Sequence, residues 1–356
     1  MPAIEQILLQ RLQSTPRLSF AEVMAEALYH PEHGYYGPAP RRIGRGGDFF
    51  TAVSVGPLYG RLLADLARET HRLQGSPEDF VIIEQAAHDG QLAEDILLSC
   101  SFDYLIVEPN PRYEAVQREK LAAFSGRVRW VPSLSALPAR PALFLCNELP
   151  DAMPVHLVRK EADGWKELFV ETCEAPGSTS PVLGFRPGEP TAALAAEMAR
   201  LPEHLPPGYT TEINLEALEW MRALAQAPFR GRIYIADYGL DHEELHAPER
   251  TQGTLRRYRQ HQTDDRVLED LGECDLTTHV NFTRLIETAQ EGGLKVEAYE
   301  HQGRYLGRLG LAWLATLEGR APDASAQALL RQFHSLTHPG MMGRSFRVLL
   351  LGKDAA

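Results

Sequence analysis

The 356-residue chain has little cysteine and no long apolar run. Its four cysteines lie far apart in the sequence, and no two of them form a CxxC pair. This spacing excludes a zinc site or a disulfide framework that could be recognised from sequence, and it is typical of a reducing compartment. No stretch approaches the ~18 consecutive apolar residues of a membrane-spanning helix, so we expect no membrane span.

Basic residues are the minority charge, because 36 Lys+Arg stand against 48 Asp+Glu and the formal net charge is −12. Such a chain lacks a broad surface that could neutralise phosphates, which argues against nucleic acid as its main partner. The N-terminus has neither the apolar core of a signal peptide nor the acid-free composition of a transit peptide, since Glu5 lies within it. The sequence therefore predicts a cytoplasmic protein.

What the chain does have is a regular alternation of short apolar runs and helical stretches from residue 80 onwards. The candidate strands are 80–84, 103–108, 127–131, 142–146, 232–237, 294–300 and 345–352. Strands separated by helices indicate right-handed βαβ units and a parallel sheet. The pattern predicts an α/β fold with a doubly wound, Rossmann-like sheet that can end in an antiparallel strand.

The segment before this alternation, residues 1–79, is expected to hold helices and a loop that serves the cofactor or the substrate. Ser19 and Glu22 form a capping-box pattern at the start of a helix over 19–28. Residues 30–57 are rich in Gly, Pro and Arg without a clear period, which predicts a long ordered loop.

Two later stretches interrupt the alternation inside the predicted core, which spans residues 80–356. Residues 152–212 contain a hairpin pattern around Asp163 and Gly164, followed by a Pro-rich segment. Residues 238–281 are polar and irregular. We expect both stretches to be cap insertions at the C-terminal edge of the sheet, where ligands bind in such folds.

Acidic residues end the first two predicted strands, and the turn after the first strand is poor in glycine. An acid roughly 20 residues past the first turn can accept from both hydroxyls of a ribose, and Glu108 follows Glu84 at such a distance. Ordinary strand-end acids explain these two residues equally well. Only Gly90 remains in the turn, with Ala86 and His88 where glycine would permit close backbone approach. This disfavours a dinucleotide, whose pyrophosphate needs bare amides, more than a cofactor without phosphate.

Collinear motifs over nearly the whole chain resemble those of one known family. They are HPEHGYYG (30–37), GGDFFTAVSVGPLYG (46–60), EQAAHDGQLAEDIL (84–97), VEPNPRYEAVQREKL (107–121), NELPDAMPVH (147–156), DLTTHVNF (275–282) and MMGRSFRVLLLG (341–352). On these motifs the chain resembles the MidA-like family of S-adenosylmethionine-dependent methyltransferases. Mitochondrial members of that family are arginine methyltransferases that assist the assembly of respiratory complex I.

The resemblance implies a class I methyltransferase sheet with S-adenosylmethionine as the cofactor. It implies cofactor contacts from residues of the matched motifs, namely Gly47, Phe49, Thr51, Glu84, Gly90, Glu108 and Asn147. The first turn departs from the family's E-x-G-x-G-x-G pattern, because Ala86 and His88 replace two glycines. This departure bears directly on cofactor affinity.

Two further acids, Glu148 and Asp151, follow the strand candidate 142–146. A guanidinium is a poor nucleophile because its pKa lies above ~12. A carboxylate that accepts from its other N–H groups can orient the nitrogen that receives a methyl group. With the resemblance, these two residues are the candidate catalytic acids. Without it, a turn-capping Asp151 and a Glu148 paired with a surface arginine are the more ordinary interpretation.

The leading hypothesis is a methyltransferase that acts on a protein, with an arginine side chain as the acceptor. A respiratory-complex subunit is the candidate substrate, and a homodimer is the candidate assembly. The alternative is a catalytically degenerate protein of the same fold that binds a partner as an assembly factor, as the two lost glycines suggest. A nicotinamide-dependent oxidoreductase is disfavoured by the missing glycine cradle. No compact metal-ligand spacing such as HExxH occurs, so we expect no metal.

Overall fold

The computed structural model describes residues 2–38, 51–174, 181–259, 262–319 and 323–354. The β-strands among them are β1 (Leu18–Ser19), β2 (Val81–Gln85), β3 (Asp103–Val107), β4 (Val128–Val131), β5 (Pro141–Asn147), β6 (His156–Glu161), β7 (Gly164–Glu174), β8 (Pro181–Gly188), β9 (Thr210–Ile213), β10 (Arg230–Leu240), β11 (Arg256–Arg259), β12 (Gln262–Asp264), β13 (Asp275–Thr277), β14 (Val280–Asn281), β15 (Lys295–His301) and β16 (Phe346–Lys353).

The α-helices are α1 (Ala3–Arg11), α2 (Phe20–Tyr29), α3 (Leu58–Leu73), α4 (Gln91–Leu97), α5 (Pro111–Lys120), α6 (Ala192–Met198), α7 (Leu215–Gln226), α8 (His242–Leu245), α9 (Phe282–Glu291), α10 (Gln302–Leu309), α11 (Leu311–Ala315), α12 (Ala324–Thr337) and α13 (Met342–Ser345). Short 3-10 turns occur at Val53–Val55, Ala122–Phe124, Leu134–Ala136 and Pro150–Ala152. Of the helices described, none is long and apolar enough to cross a membrane.

The chain divides into two compact units. The first comprises residues 1–41, 150–220 and 240–285, and the second comprises 42–149, 221–239 and 286–356. The division of the chain that the sequence predicts, with its boundary between residues 79 and 80, stays a prediction.

The second unit is built on one large sheet whose strands run in the order β15-β16-β10-β5-β2-β3-β4. The five strands from β10 to β4 are parallel, whereas β16 is antiparallel to both of its neighbours. This order confirms the predicted doubly wound sheet with an antiparallel strand. Apolar side chains of β2 and β5 pack with those of α3 and α4 in one buried cluster, which is why these strands read as continuous apolar runs.

The first unit is built on an antiparallel sheet in the order β1-β7-β6-β9, with β8 paired to β7. The predicted hairpin is confirmed, because β6 pairs with β7 and Glu161 faces Gly164 across the turn. The predicted capping box is also confirmed. The Ser19 hydroxyl accepts from the amide of Glu22, and the Glu22 carboxylate accepts from the amide of Ser19.

The expectation that residues 238–281 are irregular is wrong. This stretch contains a small antiparallel sheet in the order β12-β11-β13. These strands show no alternation of apolar residues, because the central strand, β11, has a buried arginine. Arg257 is 4% exposed and forms ion pairs of 2.6 Å with Asp264 and 3.0 Å with Asp270. A strand held by paired charges shows no apolar alternation, which is the signal on which strand prediction depends.

A test of the large sheet is available at Gly231, at the start of β10. Its φ of +130° disfavours any side chain, and a Cβ there would overlap the carbonyl oxygen of Ala142 on β5. Gly164 has almost the same φ, +129°, but no heavy atom lies within 4 Å of its would-be Cβ. We therefore expect Gly231→Ala to lower the free energy of unfolding by about 1–3 kcal/mol more than Gly164→Ala does, because of overpacking. Equal losses in thermal melts of the two variants would contradict this packing.

Candidate active site

Parallel register brings several strand ends of the second unit to one edge of the sheet. Gln85, at the end of β2, faces Val107 on β3 and Cys146 on β5. Asn147, at the end of β5, faces Ala236 on β10. Ligands bind beyond the carboxyl ends of the strands in open α/β sheets. The residues that follow these strands therefore share the edge where a cofactor is expected.

The turn after β2 adopts a left-handed conformation without the glycines that normally supply it. Ala86 has φ +67° and His88 has φ +47°, and Gly90 follows with φ +85° at the start of α4. Such values are uncommon for residues with a Cβ and cost conformational energy. The turn thus keeps the backbone conformation that favours glycine. Ala86 and His88 adopt this conformation at a cost in strain.

Glu84 lies in β2, two residues before Ala86, and its side chain is buried. It is 2% exposed, and the Tyr104 hydroxyl donates to its Oε2 over 2.6 Å. Burial raises the pKa of Glu84 to about 7, although the hydrogen bond from Tyr104 opposes the rise. The structure thus places this predicted cofactor residue in the interior, where it is bonded to Tyr104 of β3.

Glu108 lies after β3 with both carboxylate oxygens engaged. Its Oε1 accepts from the amide of Asn110 over 2.9 Å, and its Oε2 accepts from Nε2 of Gln117 over 2.9 Å. Burial raises the pKa of Glu108. A carboxylate has about four lone-pair positions, so two accepted bonds leave capacity for two hydroxyl donors. The oriented carboxylate therefore fits the vicinal hydroxyls of a ribose.

Asn147 and Glu148 form the third element of the edge. The Tyr59 hydroxyl donates to Oδ1 of Asn147 over 2.8 Å, and Nδ2 of Asn147 donates to Oε1 of Glu148 over 2.9 Å. The Tyr234 hydroxyl lies 3.2 Å from that of Tyr59. Since the Tyr59 proton is directed to Asn147, Tyr234 must donate to Tyr59. Burial raises the pKa of Tyr59 well above its usual 10, which keeps this chain of donors protonated.

Glu148 itself has a left-handed backbone, with φ +53°. Its Oε1 accepts from the amide of Ala52 over 3.2 Å, so the segment after residue 50 contacts the end of β5. Thr51 is buried in this segment, and its hydroxyl and that of Ser54 each accept from the other residue's amide. Strained backbone of this kind concentrates at functional sites. The structure thus brings Thr51, Asn147 and Glu148 together.

Of the remaining predicted site residues, the structure describes only Asp151. Gly47 and Phe49 fall outside the residues that the structure describes. Asp151 belongs to the first unit, where it is 6% exposed in the turn Pro150–Ala152 and its carbonyl accepts from the amide of Thr278. Burial, together with the carboxylates of Asp275 and Asp151, raises the pKa of Tyr36 well above its usual value. Asp151 therefore lies in an acidic, tyrosine-containing neighbourhood.

Sequence reasoning missed several residues that shape this edge. Tyr59 and Tyr234 orient Asn147, and Gln117 orients Glu108 with help from Trp130. None of them carries a charge or stands at a strand end. Gln117 occurs within a matched motif, but nothing in its helix distinguishes a buried amide from a solvated one before the fold is known.

Comparisons with known proteins identify a family model and relatives that match most of the chain. Residues 62–300 match a family model described as S-adenosyl-L-methionine-dependent methyltransferase. The chain is 26% identical to "Protein arginine methyltransferase NDUFAF7, mitochondrial" of Xenopus laevis over 96% of this chain and 82% of the relative. It is 28% identical to the protein of the same name from Rattus norvegicus, over 97% and 83% respectively.

A solved structure is similar over almost the full length. It is a superfamily member from Burkholderia thailandensis bound to S-adenosyl-homocysteine, with a TM-score of 0.87 and 27% identity over 99% of this chain and 92% of that one. This similarity confirms the predicted fold class. The predicted cytoplasmic location is wrong by these comparisons, because the named relatives are mitochondrial proteins. That prediction rests on an N-terminal composition that resembles neither a signal peptide nor a transit peptide and on cysteine spacing typical of a reducing compartment.

The left-handed turn can be tested through stability. Ala86→Gly removes a Cβ from a residue with φ +67°, so we expect a gain of about 1 kcal/mol in the free energy of unfolding. Ala87 is buried and its φ is not positive, so Ala87→Gly should lower stability through added chain entropy and a lost methyl contact. Thermal melts of both variants measure the difference. A loss of stability in Ala86→Gly would contradict the described turn.

Glu84 gives the folded protein a pH dependence. Its pKa is about 7 in the folded state against an ordinary 4.5, so folding favours the neutral acid. This contribution is fully present below pH 4.5 and is lost as the pH rises through 7. We expect Glu84→Gln, whose amide oxygen still accepts from Tyr104, to melt at a higher temperature than the wild type at pH 8. The difference should shrink towards pH 5, and a difference that stays constant with pH would count against a buried ionisable Glu84.

Proposed function

Because the chain belongs to the family of S-adenosyl-L-methionine-dependent methyltransferases whose model matches residues 62–300, we propose that it methylates an arginine side chain of a protein. Methyl transfer with S-adenosylmethionine as the donor follows from the family. The arginine acceptor is supported by the name of the relatives, protein arginine methyltransferase, which match 96–97% of this chain. It is further supported by the acids that the chain places after β5.

The observation that carries the proposal is the held carboxylate of Glu148. Two donors, the amide of Ala52 and Nδ2 of Asn147, fix its Oε1 at the edge of the sheet. A carboxylate held in one orientation can accept from the N–H groups of a guanidinium and direct the remaining nitrogen. Such orientation lowers the barrier because reactant geometry is set before the reaction.

The cofactor supplies an electrophilic methyl group on a positively charged sulfur. The lone pair of a guanidinium nitrogen forms the new N–CH3 bond, the S–CH3 bond breaks, and its electron pair stays on the sulfur of S-adenosylhomocysteine. The methylated nitrogen then releases one proton to solvent. We assign Glu108 to the ribose hydroxyls, Thr51 and Asn147 to the cofactor side of the same edge, and Glu148 to the acceptor. We assign Glu84 and Gly90, which flank the turn after β2, to holding that turn in position for the cofactor.

Asp151 is our second candidate for recognition of a cationic acceptor, within the first unit. It shares a buried neighbourhood with Asp275, and the hydroxyl of Tyr36 donates to Asp275 over 2.9 Å. Tyrosine faces and carboxylates both favour a planar cation. Contacts from Gly47 and Phe49, a respiratory-complex subunit as the substrate, and a homodimer remain predictions.

The non-catalytic alternative is not favoured. It rested on the replacement of two glycines, and the turn keeps positive φ at both Ala86 and His88. The turn therefore keeps the backbone conformation that cofactor binding requires, even without the two glycines.

Glu148→Gln tests the proposed reaction. Because the variant keeps the size of the side chain and loses its charge, we expect methyl transfer to fall by at least about 100-fold while binding of S-adenosylhomocysteine stays close to that of the wild type. The measurement uses methyl-labelled S-adenosylmethionine with a protein extract, and mass spectrometry identifies the modified residue. Glu78→Gln, at an exposed position of the same unit, is the matched control and should leave transfer unchanged.

Wild-type transfer by Glu148→Gln would remove Glu148 from the mechanism. Label found only on residues other than arginine would refute the proposed acceptor while leaving the methyltransferase activity intact.

A further inference from the structure

One face of α5 contacts the turn that has lost its glycines. Tyr113, Gln117 and Lys120 are spaced by four and three residues, so they lie on the same side of the helix. The Tyr113 ring meets the ring of His88 edge-on with 5.8 Å between centroids. Lys120 donates to Oδ2 of Asp89 over 2.6 Å, and Gln117 donates to the carbonyl oxygen of His88 over 2.8 Å. The helix thus holds the turn by a ring contact, an ion pair and a hydrogen bond to the backbone.

The amide of Gln117 has only one orientation that satisfies its surroundings. The indole Nε1 of Trp130 donates to Oε1 of Gln117 over 2.8 Å. An indole nitrogen can only donate, so the atom facing it must be the amide oxygen. Nε2 then faces the opposite way, and its two hydrogens point to the carbonyl of His88 and to Oε2 of Glu108. Gln117 is fully buried, and both polar atoms of its amide have hydrogen-bond partners.

We propose that Gln117 is a positioning residue for cofactor binding, which locks the left-handed turn 86–90 to the carboxylate of Glu108. The inference rests on the proposed binding of the ribose hydroxyls by Glu108. One side-chain amide ties the end of the first βα turn to the acid after the next strand, so their separation is set by a single rigid group. Ala86 and His88 are strained, and the hydrogen bonds of Gln117 keep their backbone from relaxing to negative φ. Such a relaxation would also displace the carboxylate of Glu108.

A purely structural role for Gln117 predicts a different outcome from a positioning role. If the amide only fills the core, its loss lowers stability and leaves the selectivity of binding unchanged. If it aims Glu108, its loss removes the preference for ligands that carry both ribose hydroxyls. The ratio of affinities for S-adenosylhomocysteine and for its 2′-deoxy analogue therefore separates the two roles.

The experiment compares the wild type with Gln117→Met, which keeps the chain length and removes all three hydrogen bonds. Glu119→Gln, at an exposed position of the same helix, is the matched control. Isothermal titration of each protein measures affinity for both ligands, and a thermal melt confirms that each is folded. We expect the wild type and the control to bind S-adenosylhomocysteine roughly 10-fold or more tightly than the 2′-deoxy analogue, because the analogue lacks a hydrogen bond to a charged group. We expect folded Gln117→Met to bind it at least about 10-fold more weakly, with that preference nearly lost.

An unchanged preference in folded Gln117→Met would overturn the inference and leave the proposed function in place. A wild type that binds S-adenosylhomocysteine and its 2′-deoxy analogue equally well would also overturn it, because Glu108 would then not bind the ribose hydroxyls. A wild type that binds neither ligand would refute the proposed cofactor site itself. If Gln117→Met does not fold, Trp130→Phe takes its place: it keeps Gln117 and removes the donor that sets the amide's orientation. The preference should then fall partially, and an unchanged preference in that variant would overturn the inference.

Discussion

The parallel pairing of β2 with β3 on one side and β5 on the other is the constraint on which the site depends. Gln85 faces Val107 and Cys146 in the two registers, so β2 and β3 end at the same level and β5 ends one residue further, at Asn147. A shift of one residue in either register would turn the side chains of that strand to the opposite face. The acid after β3 and the amide at the end of β5 therefore share one edge of the sheet with the turn after β2, because the apolar interiors of these strands fix their alignment.

Strain at this edge coincides with the polar contacts that contain it. The described non-glycine residues with positive φ are Ser76, Ala86, His88, Glu148 and Asp270. Ala86 and Glu148 directly follow β2 and β5, and His88 lies three residues past the end of β2. Residues in sparsely populated backbone regions persist only where their surroundings over-determine them. Here the surroundings are identifiable: α5 bonds to the turn of His88, and the amides of Ala52 and Asn147 hold the carboxylate of Glu148.

Much of the fold could be predicted from the sequence because its elements carry strong local signals. Buried parallel strands are unbroken apolar runs, and the Ser19–Glu22 capping box and the hairpin near Gly164 follow from side-chain chemistry over a few residues. The sheet around β11 could not be predicted, because the sequence does not distinguish a buried Arg257 with two ion pairs from a solvent-exposed arginine. Gln117 illustrates the same limit within the site: its three hydrogen bonds join residues from three separate segments. The conformation of Ala86 and His88 was also beyond sequence, because residue type alone argues against positive φ there.

Because the first turn keeps positive φ at Ala86 and His88, we expect this edge of the sheet to bind S-adenosyl cofactors without the two glycines of the family's pattern. The decisive measurement is isothermal titration of the purified wild-type chain with S-adenosylhomocysteine. We expect saturable binding of one ligand per chain, lost when Glu108 is replaced by alanine in a protein that still folds. The absence of any binding heat at millimolar ligand from a folded chain would contradict it.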